Sequence, residues 1–372
     1  MHSRTARCLS RVGSTAAVIA ALGLASIGCG SYRGLGPLAF KDLSYTSVDG
    51  ICWPAGRMKL PQAQRAHKLP APLEVHYVEL NPAGAQTLLF IHGLGSNLKF
   101  WRYQLDTFAQ AGYRVIALDL PGYGKSDKPA SFSYTMEAMA DVVREFIRAR
   151  GIKRPILVGH SMGGQTALSF AIRFPGELEA LVLTAPAGFE EFSRSEKEWF
   201  RKAVTVRFIK RTSEYGVWGS VRRANFQRWR PEHEWLIEER VRLSASPEFE
   251  SYAYANVKTI SGLAENDFVR ASLGKIKAPT VIVFGERDGL IPNPFMHGGS
   301  TAAIMEYGHT NIAGSKLVPL AGCGHMVQMD CAQGYNAAVL AFLSSLPSLP
   351  SLPRASVSNG SSPGDAGAAP KP

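Results

Sequence analysis

The sequence predicts an α/β protein: a doubly wound, mostly parallel sheet with helices on both faces. Two observations carry this. Short runs apolar on both faces recur along the middle of the chain, and segments of helical period separate them. The alternation breaks between about residues 187 and 262, which predicts a helical insertion. A chain of 372 residues has room for one large domain carrying such an insertion.

The first strand signal is LEVHYVEL at 73–80, with period-two alternation, followed by a turn at Asn81-Pro82-Ala83-Gly84. Further strands are expected at 87–91, 113–118, 155–158, 180–184, 280–284 and 316–320. Between them, 136–150 places Met139, Val142, Val143, Phe146 and Ile147 on one helix face. Thr135 is its expected N-cap and Gly151 its stop. Residues 73–186 and 263–345 therefore read as two parts of one core, with 187–262 as the insertion. That insertion holds four of the six Trp and no strand signal. Residues 29–72, rich in Gly, Pro and Ala, read as a tether and irregular lead-in. Residues 346–372, where Ser-Leu-Pro repeats give way to Ser, Gly, Ala and Pro, cannot bury a core and read as disordered.

The formal net charge is +11. Arg4, Arg7 and Arg11 supply three of those charges ahead of an apolar run at 12–28. A basic start and a short apolar stretch read as a signal peptide over 1–28, and so as export. No basic run or nucleic-acid motif occurs, which argues against nucleic acid as a partner. No C-x-x-C or H-E-x-x-H occurs, and no metal or cofactor is expected. Export permits disulfides. Cys323 and Cys331 flank His325 and could staple its loop, or Cys52, Cys323 and Cys331 could be buried thiols.

The chemistry gathers at Val158-Gly159-His160-Ser161-Met162-Gly163-Gly164. A buried strand runs into G-x-S-x-G and then into a helix candidate at 165–170, the context a nucleophile elbow needs. Gly159 and Gly163 keep the turn free of clashes, and Ser161 is the expected nucleophile. A serine hydroxyl needs an oriented base. Asp288 and His325 follow in chain order, each just past a strand end, as expected acid and base. Glu286 and Asp267 are weaker candidates for the acid. The loop Ile91-His92-Gly93-Leu94-Gly95 lies past an earlier strand, where Gly93 and Gly95 let the backbone turn. The Leu94 and Met162 N–H groups are the expected oxyanion donors. His92 is expected to hydrogen-bond loop backbone.

These motifs together resemble the α/β-hydrolase superfamily over most of the chain past residue 73. H-G-x-G, D-x-P-G-x-G-x-S from Asp119 to Ser126, G-H-S-M-G-G, G-x-x-D-x-x-x-P and G-x-x-H fall in family order. The resemblance implies an α/β-hydrolase fold with eight strands and a helical cap after strand six. It is nearest to the cap-bearing serine esterases and lipases, which implies ester hydrolysis, and the aromatic-rich cap suggests an apolar acyl or aryl group. Ser161 stands where dehalogenases and epoxide hydrolases of the superfamily have Asp, which disfavours those activities. A C–C bond hydrolase, a thioesterase, a cofactor-free perhydrolase and a silent binding protein remain alternatives; export argues against the first two. The stretch 293–315 is long for its place and could reshape the pocket rim. Ala25-Ser26-Ile27-Gly28-Cys29 resembles a bacterial lipobox, with Ser26 where Leu is usual. That resemblance implies a lipid on Cys29 and membrane association. Gly30 in place of Asp points to the outer membrane of the bacterial envelope.

Overall fold

The computed structural model describes residues 31–347. The expected signal segment, Cys29 and all but the start of the expected tail lie outside the described residues. The chain runs β1 (Ala55–Leu60), α1 (Pro61–His67), β2 (Leu73–Leu80), β3 (Thr87–Ile91), α2 (Leu105–Gln110) and β4 (Arg114–Leu118). It continues through α3 (Met136–Ala149), β5 (Ile156–His160), α4 (Met162–Arg173) and β6 (Ala180–Thr184). The insertion supplies α5 (Arg194–Ala203), α6 (Val206–Lys210), α7 (Glu214–Asn225), α8 (Trp235–Leu243) and α9 (Phe249–Ala264). After it come α10 (Asp267–Ser272), β7 (Thr280–Gly285), α11 (Thr301–Asn311), β8 (Lys316–Leu320), α12 (Val327–Asp330) and α13 (Ala332–Ser344).

One eight-stranded sheet has the order β1-β2-β4-β3-β5-β6-β7-β8. β2 pairs antiparallel with β1 and β4, and every other pairing is parallel. Every residue of β3, β5, β6 and β7 is buried, as strands covered on both faces require. β8 is partly exposed and carries Pro319, both typical of a sheet edge. α3 buries the five apolar residues read from its period, and Thr135 Oγ1 caps it by accepting from Ala138 N–H at 3.2 Å. The order carries β4 and β5 to opposite sides of β3, so the sheet's C-terminal edge opens beside β3 and β5.

The lead-in departs from expectation. Residues 31–60 are packed structure, including the edge strand β1. Its residues alternate exposed and half-buried up to Leu60, so the segment lacks the apolar run that marks an interior strand. Ahead of it, Phe40 and Leu43 are buried in the main core. Tyr45 Oη donates to the buried carboxylate of Asp119 at 2.6 Å. Leu98 and Lys125 N–H also donate to that carboxylate, each at 2.8 Å. Burial still pushes Asp119 up to about 6. The lead-in is thereby fastened to the loops that follow β3 and β4.

The insertion boundary also shifts. α9 runs to Ala264, two residues beyond the expected end, and Phe249, Tyr252 and Ala255 belong to the main core. The cap's remaining helices carry small cores of their own, one of Phe226 and Leu236 with Met326 and Met329, another of Val217, Ile237 and Val241. Among the described residues no helix is long and apolar enough to cross a membrane.

Removing the Tyr45 hydroxyl leaves the core shape intact and deletes one donor to a buried carboxylate. Tyr45→Phe is expected to cost about 1.5–3 kcal/mol in urea unfolding. A lead-in that were a mere tether would leave the midpoint unmoved.

Candidate active site

The elbow is built where β5 meets α4. Ser161 sits between them with φ 52° and ψ −115°, a conformation costing roughly 1–3 kcal/mol for a residue with a Cβ. A Cβ on Gly159 would lie 2.3 Å from the Gly163 carbonyl oxygen, and one on Gly163 2.3 Å from the Ile91 carbonyl oxygen. The two glycines therefore let α4 close against β5 and β3. The Ser161 N–H donates to the Thr184 carbonyl at 2.9 Å, and its own carbonyl accepts from Gln165 and Ala187 N–H. Ser161 thus projects, partly exposed, into a cavity of about 1110 Å³ at the sheet's C-terminal edge.

His325 lines the same cavity. Its Nδ1 lies 2.7 Å from Asp288 Oδ2, and both side chains are almost wholly buried. The second oxygen of Asp288 accepts from Leu290 N–H at 2.8 Å and Ile291 N–H at 3.1 Å. With Oδ2 taking the Nδ1 proton, Nε2 is the ring nitrogen left for proton transfer. Asp288 thus sits against His325, as the sequence suggested. Asp267 does not: it pairs with Lys197.

His160, beside the nucleophile, is buried, and its Nε2–H donates to the His325 carbonyl at 3.1 Å. Burial and the neighbouring His325 hold its pKa well below the usual histidine value, so it stays neutral. His92 has the backbone role expected of it. Its Nδ1–H donates to the Gly93 carbonyl at 2.8 Å and its Nε2 accepts from Leu120 N–H at 3.1 Å. Both nitrogens are engaged, which leaves no lone pair for a base.

Leu94 lines the cavity past β3, and Met162 opens α4, where the first N–H groups have no partner within the helix. A Cβ on Gly93 would lie 3.3 Å from the Cβ of Ser161, so the β3 loop passes directly over the elbow. The cap grips that loop from the other side. Tyr252 Oη donates to the Gly95 carbonyl at 3.0 Å, and Arg240 Nη2 donates to the same oxygen. Lys99 and Glu239 form a buried ion pair at 2.6 Å between the loop and α8.

Two features escaped the sequence. Asp330 is fully buried and accepts from Gly324 N–H at 2.7 Å, Arg228 N–H at 2.8 Å and Gln227 N–H at 2.9 Å. It holds the His325 loop to the cap; an acid five residues past a loop His was its only trace. Phe40 and Leu43, from the supposed tether, line the cavity. The long stretch after Asp288 becomes α11 and a rim loop, and its His297 bridges Glu190 at 2.7 Å and Glu196 at 3.0 Å. The hydrogen bond that its ring donates to Glu196, with the negative charge of Glu190 beside it, raises the His297 pKa. Cys323 and Cys331 form a disulfide, so the stapled alternative holds and the base's loop is closed covalently.

The model of the alpha/beta hydrolase fold family matches residues 86–332, about two thirds of the chain. The chain belongs to this family. A 2-hydroxy-6-oxononadienedioate/2-hydroxy-6-oxononatrienedioate hydrolase of Klebsiella pneumoniae is 29% identical over 276 residues, which is 70% of this chain and 88% of that protein. An esterase from Exiguobacterium antarcticum is 25% identical at a TM-score of 0.62, covering 74% of this chain and 97% of its own. A probable hydrolytic enzyme from Pseudomonas aeruginosa matches at a TM-score of 0.69 and 24% identity, covering 84% of this chain and 99% of its own. This α/β-fold hydrolase is thus similar both to a protein named as an esterase and to one named as a hydrolase of 2-hydroxy-6-oxo-dienedioates.

Burial gives His92 a pKa of about 4, below its ordinary 6.5. The stability of the neutral buried form is therefore present above pH 6.5 and is lost as pH falls toward 4. The loss is on the order of 3 kcal/mol. Urea midpoints measured across this window are expected to fall less steeply for His92→Gln than for the parent. Parallel slopes would contradict the assignment.

Proposed function

We propose that the protein hydrolyses carboxylic esters of apolar acyl or aryl groups, in the manner of cap-bearing esterases and lipases. The observation that carries this is the buried Asp288–His325 pair opening, with Ser161, into one large cavity walled largely by apolar and aromatic side chains. Phe40, Leu43, Phe200, Phe226 and Phe249 are among those walls. In this reading Ser161 Oγ attacks the ester carbonyl while His325 Nε2 takes its proton. Asp288 stabilises the imidazolium. The Leu94 and Met162 N–H groups receive the oxyanion. His325 then protonates the departing alcohol, and water releases the acid from the acyl-enzyme by the same route in reverse.

A second reading is favoured by Arg240, a cation in the cavity wall beside the Leu94 loop. The Klebsiella relative's name describes a dienedioate, whose carboxylates would suit such a cation. Two facts weigh toward the ester: Arg240 already donates to Gly95, and it stacks 5.2 Å from the Tyr252 ring.

Purified protein should turn over p-nitrophenyl esters of graded chain length, and Ser161→Ala should lower kcat by roughly a million-fold with the fold retained. A 2-hydroxy-6-oxo-dienedioate assayed alongside should react far more slowly. Preference for the dienedioate would reverse the two readings. Unchanged ester turnover in Ser161→Ala would remove both.

We further propose export to the bacterial envelope with a lipid on Cys29 at the outer membrane. The basic start, the apolar run and the residues before Cys29 support this. Cys29→Ser is expected to move the protein from membrane to soluble fractions in the producing cell, and unaltered partition speaks against the anchor.

A further inference from the structure

The cap and the rim loop carry large aromatic side chains that the fold leaves uncovered. Tyr215 is 72% exposed, Phe208 64% and Trp199 46%, and Phe295 on the rim loop is 83% exposed. Trp199, Phe208 and Phe295 also line the catalytic cavity, so they stand around its mouth. Residues 199–223 hold seven Lys or Arg and a single acid, Glu214. Arg201, Lys202, Arg207, Lys210, Arg211 and Arg223 are all exposed. Arg201, Lys202 and Lys210 are paired with carboxylates, whereas Arg207 and Arg211 make no ion pair among the described residues.

Arg207 and Arg211 line a second, shallower hollow of about 560 Å³ with the hydroxyl residues Thr205, Thr212 and Ser213. Phe208, Thr212 and Gly216 belong to both this hollow and the catalytic cavity, so the two adjoin. Two guanidinium groups among hydroxyls suit a phosphate diester. Exposed aromatic rings beside them suit the boundary between headgroups and acyl chains. Exposed aromatic rings with basic residues beside them are complementary to an anionic bilayer.

We propose that this face of the cap docks on an anionic phospholipid bilayer. Arg207 and Arg211 take headgroup phosphates, Trp199, Phe208 and Phe295 enter the acyl boundary, and the cavity mouth is set against the lipid. The substrate class that follows, resting on the ester reading above, is an ester dissolved in the membrane. Docking itself does not depend on that reading.

The full chain is mixed with vesicles containing brominated acyl chains, which quench indole fluorescence on contact. With phosphatidylglycerol present, quenching is expected, and Trp199→Phe should remove the larger part of it. Arg207→Glu with Arg211→Glu should reduce it at least five-fold while leaving turnover of a water-soluble short-chain ester unchanged. Vesicles of phosphatidylcholine alone should quench little. The measurement follows the cap and not the N-terminus, so an anchor at Cys29 does not mask it. Ser161→Ala should quench like the parent, so failure of the ester reading would leave this result standing. Equal quenching in Trp199→Phe, equal quenching by neutral vesicles, or an unaffected charge-reversed variant would each overturn the docking. No quenching by anionic vesicles, with binding to an acidic protein instead, would overturn it too.

Discussion

The close approach of α4 to β5 and β3 is the constraint on which the site depends. Gly159 and Gly163 have carbonyl oxygens where any Cβ would have to go. That contact forces the chain to turn within one residue, and the residue at the turn, Ser161, is left at φ 52°. Strain of this kind persists only where surrounding hydrogen bonds over-determine it. Here the Thr184 carbonyl fixes the serine N–H, and Gln165 and Ala187 fix its carbonyl. The same contact brings the β3 loop over the elbow. Position of the serine, direction of the helix and placement of Leu94 are therefore one geometric fact seen from three sides.

Around that turn the loops are held by buried carboxylates that accept backbone N–H groups. Asp119 holds the β3 and β4 loops and receives Tyr45. Asp288 holds its own loop by Leu290 and Ile291 while facing His325. Asp330 holds the His325 loop and the cap. A buried carboxylate is tolerable only with several donors, and most of these donors are loop N–H groups that would otherwise be unsatisfied. The catalytic edge is thus stiffened by charge placed under it, whereas the sheet's interior is held by apolar packing.

Of the seven strands that were legible, β3 to β7 showed because an interior strand must be apolar on both faces, and β2 showed by its alternation. β1 was not legible, since an edge strand with a solvated face has no such run. The tight turn at Ser161 and the contact of Asp288 with His325 were legible because such a turn constrains local sequence, the glycines flanking the serine most of all. Asp330 left almost no trace. Two of its three partners, Gln227 and Arg228, lie about a hundred residues away in the cap, and nothing local distinguishes an acid that caps distant backbone from a surface one. Phe40 and Leu43 were hidden for a related reason: two apolar residues in an irregular segment have no period, and only the fold shows that they reach the cavity.

The shared use of Asp330 has a practical side. One oxygen accepts from Gly324 beside the base and from Gln227 in the cap, the other from Arg228. Met326 N–H also donates to the Asn225 carbonyl at 2.9 Å. The cap is therefore not an interchangeable lid laid over a finished active site. Exchanging it for a relative's would unfasten the His325 loop unless residues 225–228 travelled with their acceptor, and the natural unit of transplantation is cap plus His325 loop together.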